Sequence, residues 1–267
     1  FRFEGAATMN PATMNLGNAE MQIFATMHFK ELLRKFVENN QRPDGRQLNQ
    51  IRPVSIIPNP LAAPAGSVIV SMGSTRLLAA CKVEPAVLDT SAPTEGRLQI
   101  TCTLGARAVD ALEAKKARER QQSIAAFITK ILLSTKVLDL TELVMPEANC
   151  CLQLSVDIGC MSDDGNVLDA ALTATLAALR AATFHTYMTD ESGKVVPRTD
   201  QPKTRLTLRH YPFSLSFGLF DNAILHDCTH KEEQQLTGCL SMVYNNEGQL
   251  CGIYKPGGQA MPKEAMK

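Results

Sequence analysis

Two apolar runs, separated by a short polar turn, constrain the fold most strongly. Residues 67–72 and 75–83 are strand-like, and Gly73 and Ser74 lie between them. Two residues suffice to join antiparallel strands, whereas parallel strands need a crossover of a dozen residues or more. The sequence therefore predicts a β-hairpin and, around it, a sheet that is at least partly antiparallel.

Further strands and a few helices are predicted along the rest of the chain. Apolar residues at helical spacing predict helices over 20–38, 106–134 and 167–183, and short apolar runs predict strands over 98–103, 150–158, 213–220, 223–227, 236–244 and 250–254. No internal repeat is found. Hairpins interleaved with few helices indicate an α+β fold, with helices packed on mixed or antiparallel sheets. We expect an N-terminal arm with the start of the first helix over 1–27, and one domain over 28–267 whose C-terminal helix is incomplete.

The charge balance excludes some classes of protein. The 267 residues include 27 Lys and Arg against 27 Asp and Glu, so the net charge is zero. A lone nucleic-acid binder with a strongly basic face is therefore disfavoured, and the lack of self-repulsion favours assembly with other subunits. No apolar run approaches the roughly 20 residues of a membrane helix, so no membrane partner is expected.

The cysteines predict a reducing compartment. None of the eight cysteines forms a C-x-x-C pair, and several stand in apolar runs such as Cys150-Cys151-Leu152. The first residues lack the apolar stretch of a secretion signal. We therefore expect reduced core cysteines in a nuclear or cytosolic protein. The chain starts without Met, so we also expect residues before Phe1.

Several motifs, taken in order, carry a resemblance to a known family. The segments 42–46 (RPDGR), 52–54 (RPV), 65–67 (AGS) and 72–75 (MGST) resemble the opening of a ribonuclease PH domain. The segments 164–170 (DGNVLDA) and 254–258 (YKPGG) are similar to those of the non-catalytic ring subunits of the RNA exosome. The resemblance spans about residues 28–258. It implies the ribonuclease PH-like α+β fold, of the ribosomal protein S5 domain 2-like type.

The resemblance also implies where a catalytic site would lie. Active members of the family cleave RNA 3′ ends with phosphate, which is held by a Gly-Gly-Thr/Ser-Arg turn at a helix start. The matching turn here is Gly165-Asn166-Val167-Leu168, so the hydroxyl and guanidinium are replaced by apolar side chains. Asp169 follows in the first helical turn and puts a carboxylate where an anion would need to lie. We therefore predict a degenerate phosphate turn.

A second position leads to the same prediction. Active members carry a catalytic aspartate on a strand whose counterpart here, residues 236–243, contains no carboxylate. The nearby acidic residues Asp227, Glu232 and Glu233 are interpreted as a solvated loop. No catalytic residue is therefore predicted, although an active phosphate-dependent 3′-to-5′ exoribonuclease is kept as the alternative.

Basic residues of the second helix are candidates for RNA contact. The resemblance places this region near the RNA path, which suggests RNA binding by Arg107, Lys115, Lys116, Arg118 and Arg120. A solvated helix face, balanced by Glu113 and Glu119, explains the same run equally well.

A metal site is the least favoured interpretation. His226, Cys228 and His230 lie close together in the sequence, but a strand end does not put them on one side and no second cluster completes a ligand set. We predict neither a metal nor a cofactor.

As a whole, the resemblance implies an inactive subunit of the exosome core that supports RNA processing and degradation. Its implied partners are other ribonuclease PH-like subunits in a hexameric ring, cap subunits with RNA-binding domains, a separate catalytic nuclease, and RNA. The expected location is the nucleus and nucleolus, and also the cytoplasm. A free-standing RNA-binding adaptor remains a third possibility.

Overall fold

A computed structural model describes residues 18–88, 94–105, 111–148, 150–190 and 195–260. The chain divides into two compact units, residues 1–48 and 49–267. In the first unit, helix α1 (Asn18–Glu38) agrees with the predicted helix. A turn follows, in which Gln41 bridges to Gln47 and Gly45 has a φ of 86°. The division into an arm over 1–27 and a domain over 28–267 stays a prediction.

The second unit contains a mixed six-stranded sheet. Its path is β1-β2-β3-β6-β4, and β5 pairs with β6. The predicted hairpin is confirmed, since β2 and β3 pair in antiparallel register from Gly66 opposite Cys81 to Met72 opposite Thr75. Of the described strands in this sheet, β4 alone runs parallel to its neighbour, β6. The strands are β1 (Val54–Pro58), β2 (Gly66–Met72), β3 (Thr75–Val87), β4 (Arg97–Thr103), β5 (Val144–Met145) and β6 (Cys150–Ser162).

A four-stranded antiparallel sheet follows later in the chain, in the order β12-β11-β13-β14. Two small two-stranded sheets pair β7 with β10 and β8 with β9. These strands are β7 (Thr183–Phe184), β8 (Tyr187–Thr189), β9 (Val195–Pro197), β10 (Thr204–Arg205), β11 (Phe213–Phe220), β12 (Ala223–His226), β13 (Gly238–Tyr244) and β14 (Leu250–Tyr254). The remaining helices are α2 (Ala111–Ser134), α3 (Val167–Ala181) and α4 (His230–Glu233). The α+β prediction is confirmed.

Helix α3 lies at the centre of the unit and packs against β2 and β3 of the first sheet and β11 of the second. Its buried face is rich in alanine, at positions such as Ala170, Ala174 and Ala178. Small side chains let the helix approach the strands closely. At Gly66 the approach is so close that an added Cβ would lie 2.5 Å from the carbonyl oxygen of Ala178.

Some predicted boundaries differ from the structure. Strand β3 continues to Val87, past the predicted end at residue 83 and through Pro85. Pro85 lies beyond the end of β2, so among the described strands β3 pairs there with β6 alone, and strands tolerate proline at such edges. The predicted helical residues 106–110 and the predicted C-terminal helix over 261–267 lie outside the described residues.

The cysteines are free thiols, and five of them are buried. Burial raises the pKa of Cys81 to about 12 and that of Cys102 to about 11. Such thiols behave as small apolar core residues, as the sequence predicts.

Across the described ranges, no helix is both long enough and apolar enough to cross a membrane.

Replacing Gly66 by alanine tests the close packing of α3 on β2. The new Cβ would collide with backbone atoms of Ala178 and Ala182, which cannot rotate away. We expect Gly66→Ala to lower the free energy of unfolding by about 1–3 kcal/mol, the usual cost of overpacking. Gly159→Ala is the control, because its new Cβ would lie 3.9 Å from the nearest atom. Chemical denaturation of this variant should show no loss of unfolding free energy. Equal stabilities of the two variants would contradict the described packing.

Candidate functional site

The segment predicted to be a degenerate phosphate turn, Gly165-Asn166-Val167-Leu168, leads into α3, which begins at Val167. Gly165 has a φ of 81° and Asn166 a φ of 55°, so the chain passes through two left-handed residues before the helix begins. An added Cβ at Gly165 would lie 2.5 Å from the carbonyl oxygen of Cys228. Glycine is therefore required at this position both for its φ and for the close approach of the segment after β12.

Arg52, just before β1, holds this turn in place. Its guanidinium donates to the carbonyl oxygen of Asp164 at 2.8 Å and to that of Gly165 at 3.2 Å. The hydroxyl of Thr75 donates to the same Gly165 carbonyl at 2.7 Å. The conformation of the turn is thus fixed by side chains from the first sheet.

Arg52 also forms a buried, two-pronged ion pair with Asp227. Its Nε and Nη2 donate to the Asp227 carboxylate at 2.9 and 2.7 Å, and its backbone N–H donates at 2.8 Å. The exposed fraction of the side chain is 6% for Arg52 and 2% for Asp227. Burial alone would raise the pKa of Asp227, but the hydrogen bonds from Arg52 and Asn166 outweigh it and lower that pKa below its ordinary value.

Asp169 joins the first turn of α3 to β11. Its carboxylate accepts hydrogen bonds from the backbone N–H of Ser216 at 3.0 Å, the Ser216 hydroxyl at 2.7 Å and the amide of Asn166 at 2.9 Å. Burial raises the pKa of this carboxyl, and the hydrogen bonds offset that effect only in part. The Asn166 amide also donates to Asp227 at 2.7 Å. Asp169 is thus part of a buried network.

Glu233 supplies the carboxylate at the entrance to α3. Its Oε1 accepts the backbone N–H of Asn166 at 2.7 Å, and its Oε2 lies 3.7 Å from Arg120. Burial raises the pKa of Glu233, while the Asn166 amide and Arg120 act in the opposite direction. The sequence assigned this anion position to Asp169, but the structure gives it to Glu233.

The interpretation of Asp227, Glu232 and Glu233 as a solvated loop is therefore wrong. Glu232 is buried and closes a capping box with Thr229, whose N–H and hydroxyl donate to it at 2.8 and 3.0 Å. The spacing Thr-x-x-Glu at 229–232 is a readable signal of this cap. No comparable local signal exists for the other two, because their partners lie far away in the sequence.

A cleft of about 640 Å³ opens beside the turn. It is bounded by α2, the start of α3, β13 and the turn at Gly257 and Gly258. Val167 and Leu168 form an apolar part of the cleft wall, and Cys239 and Ser241 of β13 also line the cleft. Among the described residues that line the cleft, Glu119 and Glu233 are the carboxylates, and Asp169 is not among them.

Of the residues predicted to contact RNA, some line the cleft and others do not. Lys116 and Arg120 line the cleft, together with the turn residues Asn166, Val167 and Leu168. Lys115 is exposed and lies 3.9 Å from Glu119, and Arg118 is exposed outside the cleft lining. Arg107 lies outside the described residues. RNA contact by any of them stays a prediction.

The histidines considered as metal ligands have other contacts. The ring of His226 packs edge-on against Phe217, with centroids 4.7 Å apart, and His230 Nε2 lies 3.0 Å from the Gln234 amide. In the part of the chain that the structure describes, no group of three or more His, Cys, Asp or Glu residues could hold a metal ion.

The mixed six-stranded sheet, the four-stranded antiparallel sheet and the helix α3 packed against both define the class as an α+β fold. Residues 50–184 match the 3′ exoribonuclease family, domain 1, and residues 210–267 match domain 2 of the same family. The chain belongs to this ribonuclease PH family.

Curated relatives match most of the chain. Exosome complex component rrp45 of Schizosaccharomyces pombe is 29% identical over 236 residues, which cover 87% of this chain and 80% of the relative. Exosome complex component Rrp42 of Saccharolobus islandicus is 29% identical over 232 residues, which cover 87% and 84%. Among solved structures, a chain of the Archaeoglobus fulgidus exosome with RNA bound to the active site is similar in fold, with a TM-score of 0.78 and 24% identity over 91% of this chain and 92% of that one.

Replacing Asp227 by asparagine tests the buried ion pair. Arg52 would be left buried without its counter-charge, so we expect the free energy of unfolding to fall by about 3–5 kcal/mol. As the control, Asp157→Asn removes an exposed carboxylate 3.5 Å from Lys82 and should cost no more than about 1 kcal/mol.

The difference between the wild type and Asp227→Asn should also depend on pH. Because folding lowers the pKa of Asp227, its contribution is complete above the ordinary value of 3.8 and is lost as the pH falls through the lowered pKa. Urea unfolding at a series of pH values should therefore show the two proteins converging in acid. A constant difference from pH 7 to pH 2 would contradict this assignment.

Proposed function

We propose that this protein is a catalytically inactive ring subunit of the RNA exosome core. It would support 3′-to-5′ RNA processing and degradation, including rRNA maturation and mRNA turnover, by building the ring and guiding RNA through its channel. Its partners would be other ribonuclease PH-like subunits in a hexameric ring, cap subunits with RNA-binding domains, and a separate catalytic nuclease. It would act in the nucleus and nucleolus, and also in the cytoplasm. Within the ring we expect the 43 type of ribosomal RNA-processing protein, with the related 42 type as the alternative.

The observation that carries the proposal of inactivity is the hydrogen bond from the Asn166 N–H to Glu233. A phosphate at this helix start would need the same amide and would meet the negative charge of the carboxylate. Two further donors are absent, because Val167 and Leu168 stand where a hydroxyl and a guanidinium are needed. A hydrogen bond to a charged group contributes about 1.5–3 kcal/mol, so their loss would weaken phosphate binding by orders of magnitude.

The ring role is supported by similarity. Both curated relatives described above carry exosome component names, and the match covers at least 80% of each relative. The neutral charge of the chain fits a subunit that shares RNA contacts with its neighbours rather than binding RNA alone.

An assay of phosphorolysis separates the inactive subunit from the alternative of an active exoribonuclease. The purified chain is mixed with RNA, phosphate and Mg²⁺, and released nucleoside diphosphate is measured beside an active member of the family. We expect no release above that of a heat-inactivated sample. Release that depends on phosphate and enzyme concentration would establish the alternative.

Lys116 is the clearest test of RNA guiding, and its neighbour Lys115 provides the matched control. Lys116 lines the cleft, whereas Lys115 is not among the residues that line it and has its ammonium 3.9 Å from the Glu119 carboxylate. In the assembled ring, Lys116→Glu should weaken RNA binding severalfold and reduce the slope of log K against log salt by about 0.7, because one phosphate contact is lost. Lys115→Glu should leave both nearly unchanged. Equal effects of the two variants in fluorescence anisotropy would contradict a role of the cleft in RNA guiding.

A further inference from the structure

Strand β1 is an exposed apolar strand at the edge of the six-stranded sheet. All five of its residues, Val54–Pro58, are exposed, and the exposed fractions of Val54, Ile56 and Ile57 are 44%, 49% and 53%. The strand pairs with β2 on one side, and no other described strand pairs with it. Proteins normally protect such edges with charges, bulges or a covering element.

The hydrogen-bonding groups on the outer side of β1 follow from its register. Gly73 N–H donates to Pro53 and Asn59 N–H donates to Ser67, so the odd-numbered residues of the strand face β2. In an antiparallel pair the alternate residues direct their backbone groups away from the partner strand. The N–H and C=O groups of Val54 and Ile56, and the C=O of Pro58, therefore point outward.

A groove of about 510 Å³ adjoins this edge. Its wall on the α3 side is formed by Thr173, Leu176, Ala177 and Arg180, which share one helical face, and Ile56 lies opposite. Phe213 adds an exposed aromatic ring to the lining. The edge of β1 offers backbone hydrogen bonds, and the groove offers space for every second side chain of an extended peptide. Sites that bind a peptide as an added strand combine these two features.

The charge of the groove indicates what its occupant must carry. Arg180 lies over the ring of Tyr211, 5.9 Å from the ring centroid, and Arg205 is exposed in the lining. No carboxylate is among the described residues that line the groove. An occupant with a carboxylate would complement these arginines. A second copy joined through a two-fold axis would present the same patch and would supply no such group.

We propose that β1 and this groove bind an extended segment of a neighbouring ribonuclease PH-like subunit. The segment adds as a strand beside Val54–Pro58, places an apolar side chain against Ile56, and brings an Asp or Glu to Arg180 and Arg205. This inference rests on the proposed role as a ring subunit and specifies one of its contacts.

The test uses the tagged full-length protein expressed in its own cells, with a photo-crosslinking benzoylphenylalanine at position 56. The complex is purified and irradiated, and its crosslinked peptides are sequenced by mass spectrometry. We expect crosslinks to one strand-like peptide, containing Asp or Glu, from another ribonuclease PH-like subunit. The same probe at Leu250, which has a similar exposed fraction of 51%, should not reach that peptide.

Two variants test the backbone and the charge separately. Ile56→Pro removes an outward N–H and leaves the ladder to β2 intact, and Arg205→Glu reverses the charge of the groove. Each should lower recovery of the crosslinked subunit at least tenfold, whereas Lys231→Glu, an exposed basic residue in α4, should not. Thermal unfolding checks that each variant is folded. If the Ile56→Pro variant is unfolded, the result for Arg205→Glu decides the test.

The outcomes distinguish this inference from the proposed function. If ring subunits copurify but the probe at 56 reaches residues 1–17, a second copy, RNA or nothing, the inference is overturned and the ring role stands. The same holds if Arg205→Glu leaves recovery unchanged. If no ribonuclease PH-like subunit copurifies, the ring role fails and this inference fails with it.

Discussion

The buried ion pair between Arg52 and Asp227 is the interaction on which the site depends. It joins two residues that are 175 positions apart, one just before β1 in the first sheet and the other just after β12 in the second. The same guanidinium holds the carbonyl oxygens of the turn before α3. Because breaking a buried pair leaves an uncompensated charge, the two sheets and the turn are held together in one arrangement.

That arrangement also determines which carboxylate can reach the entrance to α3. Asp227 is neutralised by Arg52, and Asp169 is held by Ser216 and Asn166. Of these three acids, Glu233 is the one that accepts the backbone N–H of Asn166, and its other carboxylate oxygen lies 3.7 Å from Arg120. The Glu233 carboxylate, which belongs to the chain itself, thus lies at the start of α3. Under the proposed function, the fold is retained for assembly while this carboxylate takes the place of a bound anion.

Much of the fold could be predicted from the sequence, because its signals are local. The hairpin around Gly73, the turn at Gly165 and the alanine-rich α3 follow from turn residues and from the spacing of apolar residues. The acidic residues of the site could not be placed in this way. Asp227 and Glu233 have partners 175 and 67 positions away, and a charge run by itself is typical of solvated surface. Only the Thr229–Glu232 capping box was readable locally.

The central claim is that Glu233 occupies the anion position of α3, and the amide signal of Asn166 tests it most directly. In ¹⁵N-resolved NMR, inorganic phosphate is titrated into the wild type and into Glu233→Ala at neutral pH. The account predicts no saturable shift of the Asn166 amide in the wild type and a saturable shift in the variant, because the amide becomes available. A saturable phosphate shift of that amide in the wild type would contradict the account.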